Sequence, residues 1–249
     1  MKPTIQGLWI GKIGTLERLS IASFIAHGHD YHLYTYEDQA DLPEGCTLMN
    51  AASIMPQSEI FRHRKGAAKG GFTGFSNIFR YRLLADKGGW WCDTDIVALK
   101  AFDFTDPIIL ASEYHWLWHK KLSNAVIHCP PEHELMKACY DDAIRVNKES
   151  MRFGQCGAKL VKKHAKRLGL LGYIKPPEYF NPINWWESSK IGTPGSAALL
   201  PQEAYSVHCY GESWRWRLKE HYNDQFRNKF FDENTLLGTL QHRYLKELS

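Results

Sequence analysis

Residues 71–102 read GFTGFSNIFRYRLLADKGGWWCDTDIVALKAF, and their order decides how the rest of the chain is read. Ile78, Phe79, Leu83 and Leu84 recur at helical spacing, which predicts a helix capped by Ser76 and stopped by Gly88-Gly89. Asn77, Arg80, Tyr81 and Leu84 fall three to four residues apart, so the amide and the guanidinium share a face. Trp90-Trp91-Cys92 is a short predicted strand leading into Asp93-Thr94-Asp95, and Ile96 to Leu99 resumes it. Two carboxylates so placed repel each other and need a cation or hydrogen-bond donors nearby. A hard divalent ion such as Mn²⁺ or Mg²⁺ takes oxygen ligands and characteristically completes its shell with phosphates. On its own an Asp-x-Asp recurs by chance in many proteins, so its surroundings have to give it meaning.

Upstream, 4–10 (TIQGLWI) is an apolar run that reads as a buried strand ending at Gly11. Thr15 can cap a helix through Leu16, Leu19, Ala22 and Ile25 that stops near Gly28, and 31–37 (YHLYTYE) alternates as a second strand. Strand, helix and strand in about 35 residues make a βαβ unit. Ligands of such units lie beyond the carboxyl ends of the strands, which puts Trp9, Ile10 and Gly11 at a ligand-facing edge. A short strand near Cys46 to Met49 and a short helix from Ala51 follow. The basic, glycine-rich run 62–74 (RHRKGAAKGGFTG) has no apolar period and reads as a flexible surface loop, either ligand-ordered or an inert linker.

Downstream, 108–112 and 123–129 read as core strands, and 132–146 and 157–168 as helices. The second of these helices carries Lys159, Lys162, Lys163, Lys166 and Arg167, a solvated face or a contact for phosphate or anionic lipid. Residues 173–186 show no clear element, 204–210 (AYSVHCY) is a late strand, and 236–248 closes the chain as an amphipathic helix. With no repeat and no convincing boundary, the 249 residues read as a single domain, 1–249.

A formal net charge of +4 is too small to demand nucleic acid, but it suits a nucleotide phosphate, an anionic lipid surface or a phosphorylated acceptor. The 9 Trp, 12 Tyr and 12 Phe favour sugar or base stacking over a featureless surface. Six scattered cysteines without a CxxC pair, and no secretion signal at the start, point to a reducing cytoplasm. No apolar run approaches the roughly 18 residues of a membrane span, so membrane contact would be peripheral, at the inner face.

The series Ser76-Asn77, Arg80-Tyr81, Gly88-Gly89 and Asp93-Thr94-Asp95 resembles the Asp-x-Asp glycosyltransferases of the sugar-binding-region superfamily. Their relatives include fungal α-mannosyltransferases, α1,4-galactosyl- and N-acetylglucosaminyltransferases, bacterial capsule and lipopolysaccharide enzymes, and the glucosylating domains of large clostridial toxins. The match is specific in this block and thinner at Trp9 to Gly11 and His208 to Trp214.

This resemblance implies an α/β fold of GT-A type, with a mixed, mostly parallel sheet flanked by helices. It implies a nucleotide-sugar donor, most simply a UDP-sugar, and metal-dependent hexosyl transfer, with retention, to a glycan, polysaccharide or lipid-linked acceptor. Asp95 would bind Mn²⁺ or Mg²⁺ directly, Asp93 would contact ribose or donor sugar and the metal shell, and Arg80 would hold donor hydroxyls. Thr94 would line the donor site with Ser76 and Asn77, and Trp9 looks like the tryptophan that stacks on uracil. His208 is similar to a late third metal ligand, with Ser213 and the Trp214 indole donating to the pyrophosphate. Each has an ordinary structural reading as well: Trp9 as a core aromatic, Arg80 as a surface ion pair, His208 as a hydrogen-bonded strand residue. Asn77 departs from the pattern, since relatives usually carry Asp there, and Trp90-Trp91-Cys92 is bulkier than their apolar strand.

Two other readings stand beside it. The segment 90–97 also fits the Asp-x-Asp strand of haloacid-dehalogenase-type phosphatases, where the first Asp is the phosphorylated nucleophile. That motif normally lies on the first strand and needs a later acidic pair after a glycine, whereas here a βαβ unit precedes it and Asp141-Asp142 falls in a predicted helix. The third reading is a sugar- or nucleotide-binding module without catalysis.

Overall fold

The structure, a computed structural model, describes residues 3–66, 68–115, 119–217 and 227–245. β1 (Ile5–Leu8) is followed by α1 (Thr15–Ala26), β2 (Tyr31–Thr35) and β3 (Cys46–Asn50). After 3₁₀ turns at Ala51–Ser53 and Gln57–Glu59 come α2 (Thr73–Lys87), β4 (Gly89–Cys92), β5 (Ile96–Ala98), β6 (Ile109–His115) and β7 (His119–Cys129). The remaining strands and α-helices among the described residues are α3 (Glu134–Ile144), α4 (Ala158–Arg167), α5 (Pro177–Phe180), β8 (Ser206–His208), α6 (Gly211–Arg217) and α7 (Leu236–Tyr244). The part of the expected final helix beyond Leu245 lies outside the described residues.

Six strands form one sheet in the order β3-β2-β1-β4-β7-β6; the first four are parallel, and β7 alone runs against them, antiparallel to both β4 and β6. This is the mixed, mostly parallel, helix-flanked α/β sheet expected from the sequence. Buried parallel strands need both faces covered, and β4 shows how that is met. Trp90 and Trp91, each 1% exposed, alternate across the sheet. Trp90 enters an aromatic cluster with Phe102, Phe104, Phe180 and His128 on the α1 side, while Trp91 packs with Phe79 under α2 and α3. Burying such rings stabilises by about 2–3 kcal/mol each. That accounts for the bulk of this strand.

Three expectations change. Ile96 does not resume β4: β5 leaves the large sheet and pairs antiparallel with β8, matching Ile96 to His208. Ser76 is not a cap, because α2 starts at Thr73 with Ser76 inside its first turn, its N–H bonded to the Phe72 carbonyl at 2.8 Å. The cap comes from His63, a buried imidazole whose Nε2 accepts the Gly74 N–H at 3.1 Å. Local sequence carries no trace of such a cap. The run 62–74 is accordingly a closed loop rather than an open linker, with His63 N–H bonded to the Gly71 carbonyl and Gly70 N–H to the His63 carbonyl, 2.9 and 2.8 Å.

The far end of α2 behaves as expected. Gly88 takes φ 62°, ψ −157°, a conformation essentially closed to other residues, and a Cβ there would lie 2.3 Å from the Pro131 nitrogen. Among the described residues, no helix is long and apolar enough to cross a membrane.

Candidate functional site

Along the sheet, β1 is hydrogen-bonded to β2 on one side and to β4 on the other. The chain therefore reverses its direction of travel across the sheet between β1 and β4. In open α/β sheets such a switch point leaves a crevice beyond the carboxyl ends of the strands. The pairing of Gln6 with Trp91, extended two residues, brings Leu8 level with Asp93. Trp9 and Asp93 thus flank one crevice, although 84 positions separate them.

Asp93 and Asp95 point to the same side of the turn after β4, and Thr94 points the other way, 7% exposed, with its methyl toward Gly7. Thr94 is a packing residue, not part of the donor-facing surface expected of it. The β5–β8 pairing delivers His208 to the carboxylates. Its Nε2 lies 3.3 Å from Asp95 Oδ1, and one ligand atom from each of Asp93, Asp95 and His208 falls within 4.8 Å of the others. Gly211 N–H donates to Asp95 Oδ2 at 2.7 Å.

Arg80 is 3% exposed, and its position differs from the expected grip on donor hydroxyls. Nη2 donates to Asp93 Oδ1 at 2.5 Å, Nη1 donates to the Asn124 carbonyl, and the guanidinium lies 4.6 Å from the Trp91 ring centre. Trp91 Nε1 donates to the same Asp93 oxygen at 2.8 Å. Arg80 and Trp91 therefore position Asp93, while Oδ2 meets no donor among the described residues. Asn77 accepts from the Asn124 side chain at 2.7 Å, so it buttresses the residue that holds Arg80. Ser76 is half-buried beside it.

The electrostatics follow from this packing. Burial pushes the Asp93 carboxyl up, against the pull of Arg80 and with the push of Asp95. Burial acts in the same sense on Asp95, but the His208 imidazole and its hydrogen bond, with that of Gly211, outweigh it and hold the carboxyl low. Burial disfavours the His208 cation, yet the Asp95 carboxylate beside it raises the imidazole overall. The cluster draws positive charge inward.

Its donor set fits a divalent ion of the Mn²⁺ or Mg²⁺ kind: two carboxylates and one imidazole, with neighbours that aim the nitrogen. Asn181, fully buried, donates to the Ser112 carbonyl at 2.8 Å, which turns its Oδ1 toward His208 Nδ1, 3.0 Å away. With the Nδ1 proton held by Asn181, Nε2 is the nitrogen that can exchange its proton toward Asp95 for a metal ion. Tyr210 stacks on the imidazole with ring centres 3.8 Å apart. Its φ of 54° is a strained turn for a non-glycine residue, and it is the turn that sends Gly211 N–H toward Asp95.

Trp9 is half-buried at the end of β1, its indole N–H bonded to the Lys12 carbonyl at 2.9 Å and Arg227 5.0 Å above its ring. Ile10 is half-buried against the larger core, and Gly11 takes φ 94° with open space where a side chain would stand. Ser213 and Trp214 face inward. Ser213 Oγ donates to the Tyr210 carbonyl at 2.8 Å, and Trp214, 1% exposed, gives its indole N–H to Ser188 at 3.1 Å. Both polar groups are bonded within the core around α6.

Asn124, Asn181, Trp91 and Tyr210 are the functional neighbours that sequence reasoning missed. Only Trp91, two residues before Asp93 and hence on the same strand face, carried a local signal.

No family model matches the sequence, and no curated protein matches it. Solved structures do. "PaToxG Glycosyltransferase" aligns over 100% of this chain and 88% of its own at 12% identity and a TM-score of 0.49. The apo-form glycosyltransferase GlyE of Streptococcus pneumoniae TIGR4 aligns over 100% and 64% at 10% identity, TM-score 0.46. An active-site mutant of LgtC aligns over 82% and 86% at 10% identity, TM-score 0.41. At TM-scores under 0.5 these are likenesses of overall shape, and the chemistry rests on the site itself.

Proposed function

We propose that the chain is a metal-dependent glycosyltransferase, one catalytic domain of GT-A type, moving a hexosyl residue from a nucleotide-sugar to a glycan, polysaccharide or lipid-linked acceptor. The observation that carries this reading is the meeting of Asp93, Asp95 and His208 within 4.8 Å at the sheet's switch point. Asp95 and His208 Nε2, with Asp93 Oδ2, would hold Mn²⁺ or Mg²⁺. Bound there, the ion supplies Lewis-acid and electrostatic stabilisation of charge building on a leaving nucleoside diphosphate.

The chain's own residues do the rest. Arg80 and Trp91 hold Asp93 in one rotamer, and Asn181 and Tyr210 hold the imidazole, so the site is preorganised. Trp9, at the crevice edge, offers a ring for a base, with uracil the expected partner. Glu113, the carboxylate best placed to act as a base, has both oxygens engaged, by Lys121 at 2.8 Å and the Tyr210 hydroxyl at 3.3 Å. That favours retention by front-face attack over inversion.

Against a phosphatase nucleophile at Asp93 stands its place after β4, behind a complete βαβ unit, rather than on a first strand. A non-catalytic binding module would keep the crevice without needing so buried a positioning shell. Peripheral contact with anionic membrane, supported by charge and aromatics, and a cytoplasmic setting, supported by the scattered cysteines, belong to this reading as proposals.

The test is nucleotide release from a panel of UDP- and GDP-sugars with and without Mn²⁺, set beside phosphate release from a generic ester. Release from a nucleotide-sugar, lost in Asp95→Ala and in chelator, is the expected result; release undiminished by chelator would refute the metal role. NMR of the product anomer decides retention.

A further inference from the structure

At the N-terminal end of α2, away from the carboxylates, lies an open cavity of about 730 Å³. Its lining is cationic: Arg62, Arg64, Lys69 and Lys148 face it, against one carboxylate, Glu149. Phe61 and Phe72 form apolar walls, each faced by a cation. The Arg62 guanidinium lies 3.9 Å from the Phe72 ring centre, and Lys148 Nζ lies 5.6 Å from that of Phe61.

Arg62 keeps donors to spare, and the ion pairs of Arg64 and Lys148, the latter with Glu59 at 3.8 Å, are both exposed. Arg62 gives one N–H to the Gly70 carbonyl at 2.7 Å, which leaves most of its five donors for a ligand. Arg64 pairs with Glu149 at 2.5 Å, but their side chains are 65% and 59% exposed, and so exposed a pair is worth little. The loop is closed by the His63–Gly71 backbone bonds and pinned by buried His63 to α2 and, at 3.3 Å, to the Met151 carbonyl. A preset loop loses little entropy when an anion binds.

Phe72, the residue before α2, and Arg80, within it, belong to the cavity and to the carboxylate site respectively, so one helix connects the two. At 1.5 Å per residue, Phe72 and Arg80 are about 12 Å apart along the axis. A volume of this size takes a small organic phosphate. Two Arg forks with two lysines, against Glu149 in the lining and Glu59 beside Lys148, leave an excess of positive charge that matches a multiply charged phosphate better than a single carboxylate.

We infer that this cavity is an anion subsite for a phosphate ester carried by the acceptor, at the N-terminal end of the helix whose Arg80 holds Asp93. Only the word acceptor rests on the glycosyl-transfer reading; anion binding here stands without it.

Inorganic pyrophosphate titrated into the metal-free full chain by calorimetry tests it. Wild type and Asp95→Asn should bind alike, and Arg62→Gln/Lys148→Gln should bind about tenfold more weakly while keeping its melting temperature and its Mn²⁺ titration. If that pair loses its melting temperature, Arg64→Gln/Lys69→Gln is read in its place. No binding to wild type, or undiminished binding to the variant, overturns the subsite. Displacement of pyrophosphate by glycerol phosphate assigns a soluble ester, displacement only by phosphatidylglycerol vesicles a lipid-borne one, and displacement by neither overturns the phosphate-ester assignment. Pyrophosphate binding without Mn²⁺ binding or transfer would refute the glycosyl-transfer reading and leave the subsite; the converse refutes the subsite alone.

Discussion

Asn181 Oδ1 stands 3.0 Å from His208 Nδ1, and the Asn181 amide is tied to the Ser112 carbonyl at 2.8 Å, so a fully buried side chain sets which imidazole nitrogen faces Asp95. Groups that orient a ligating histidine typically contribute 10–100-fold in metal affinity. Asn181→Ala should therefore weaken Mn²⁺ binding by about tenfold or more, measured by calorimetry or by electron paramagnetic resonance of free Mn²⁺. Unchanged affinity in a folded variant would show that Nε2 needs no such aim.

Arg80 and Asp93 form a pair with side chains 4% and 30% exposed, 2.5 Å apart. Removing one partner of a buried pair costs about 3–5 kcal/mol, and Asp93's partial exposure lowers the expectation to about 2–4 kcal/mol. Arg80→Ala should show that loss in urea unfolding. Adding Asp93→Asn should recover part of it, because the unpaired charge is gone; a double variant no more stable than the single one contradicts the pairing.

Gly88 sits at φ 62°, ψ −157°, with the Pro131 backbone where a Cβ would go. Gly88→Ala should cost about 2 kcal/mol or more, from backbone strain and overlap together. Its effect should appear in the melting temperature, with Mn²⁺ affinity of the folded protein held.

Glu17, 2% exposed in its side chain, accepts from Gly14 N–H at 2.6 Å and lies 3.3 Å from Arg227 Nε. Burial pushes its carboxyl up to about 7, despite the pull of Arg227. Below an unfolded value of 4.5 both states hold the proton. Between there and about 7 only the folded state does, so this group's contribution falls as pH rises, by about 3 kcal/mol in all. The difference in unfolding free energy between wild type and Glu17→Gln should follow that slope and flatten above pH about 7. A flat difference across the window rules out the raised carboxyl.

Legibility in the sequence tracked distance along the chain. The βαβ opening, the helix before Asp93 and the strand into it were readable, because apolar spacing and glycine stops act within a few residues. Of the candidate site, Asp93, Asp95 and His208 were named beforehand and come together. Ser76 as a cap, Arg80 as a sugar grip, Thr94 as a donor contact, and Ser213 and Trp214 as phosphate donors were not what the fold made of them. For Ser76, Arg80, Thr94 and Trp214 the partner, His63, Asn124, Gly7 or Ser188, lies 13 to 87 positions away, whereas Ser213 turns to Tyr210, three positions before it.

Local pattern alone settled the α/β class and the order of the chemical groups, since side-chain period and backbone preference are properties of short segments. Which strand neighbours which, and therefore that Trp9 and Asp93 share a crevice, that Ile96 pairs with His208, and that Asn181 aims the imidazole, was left to tertiary packing. The reason is physical: a buried polar atom must find a partner wherever the closed chain brings one, and that partner has no signature beside it in the sequence.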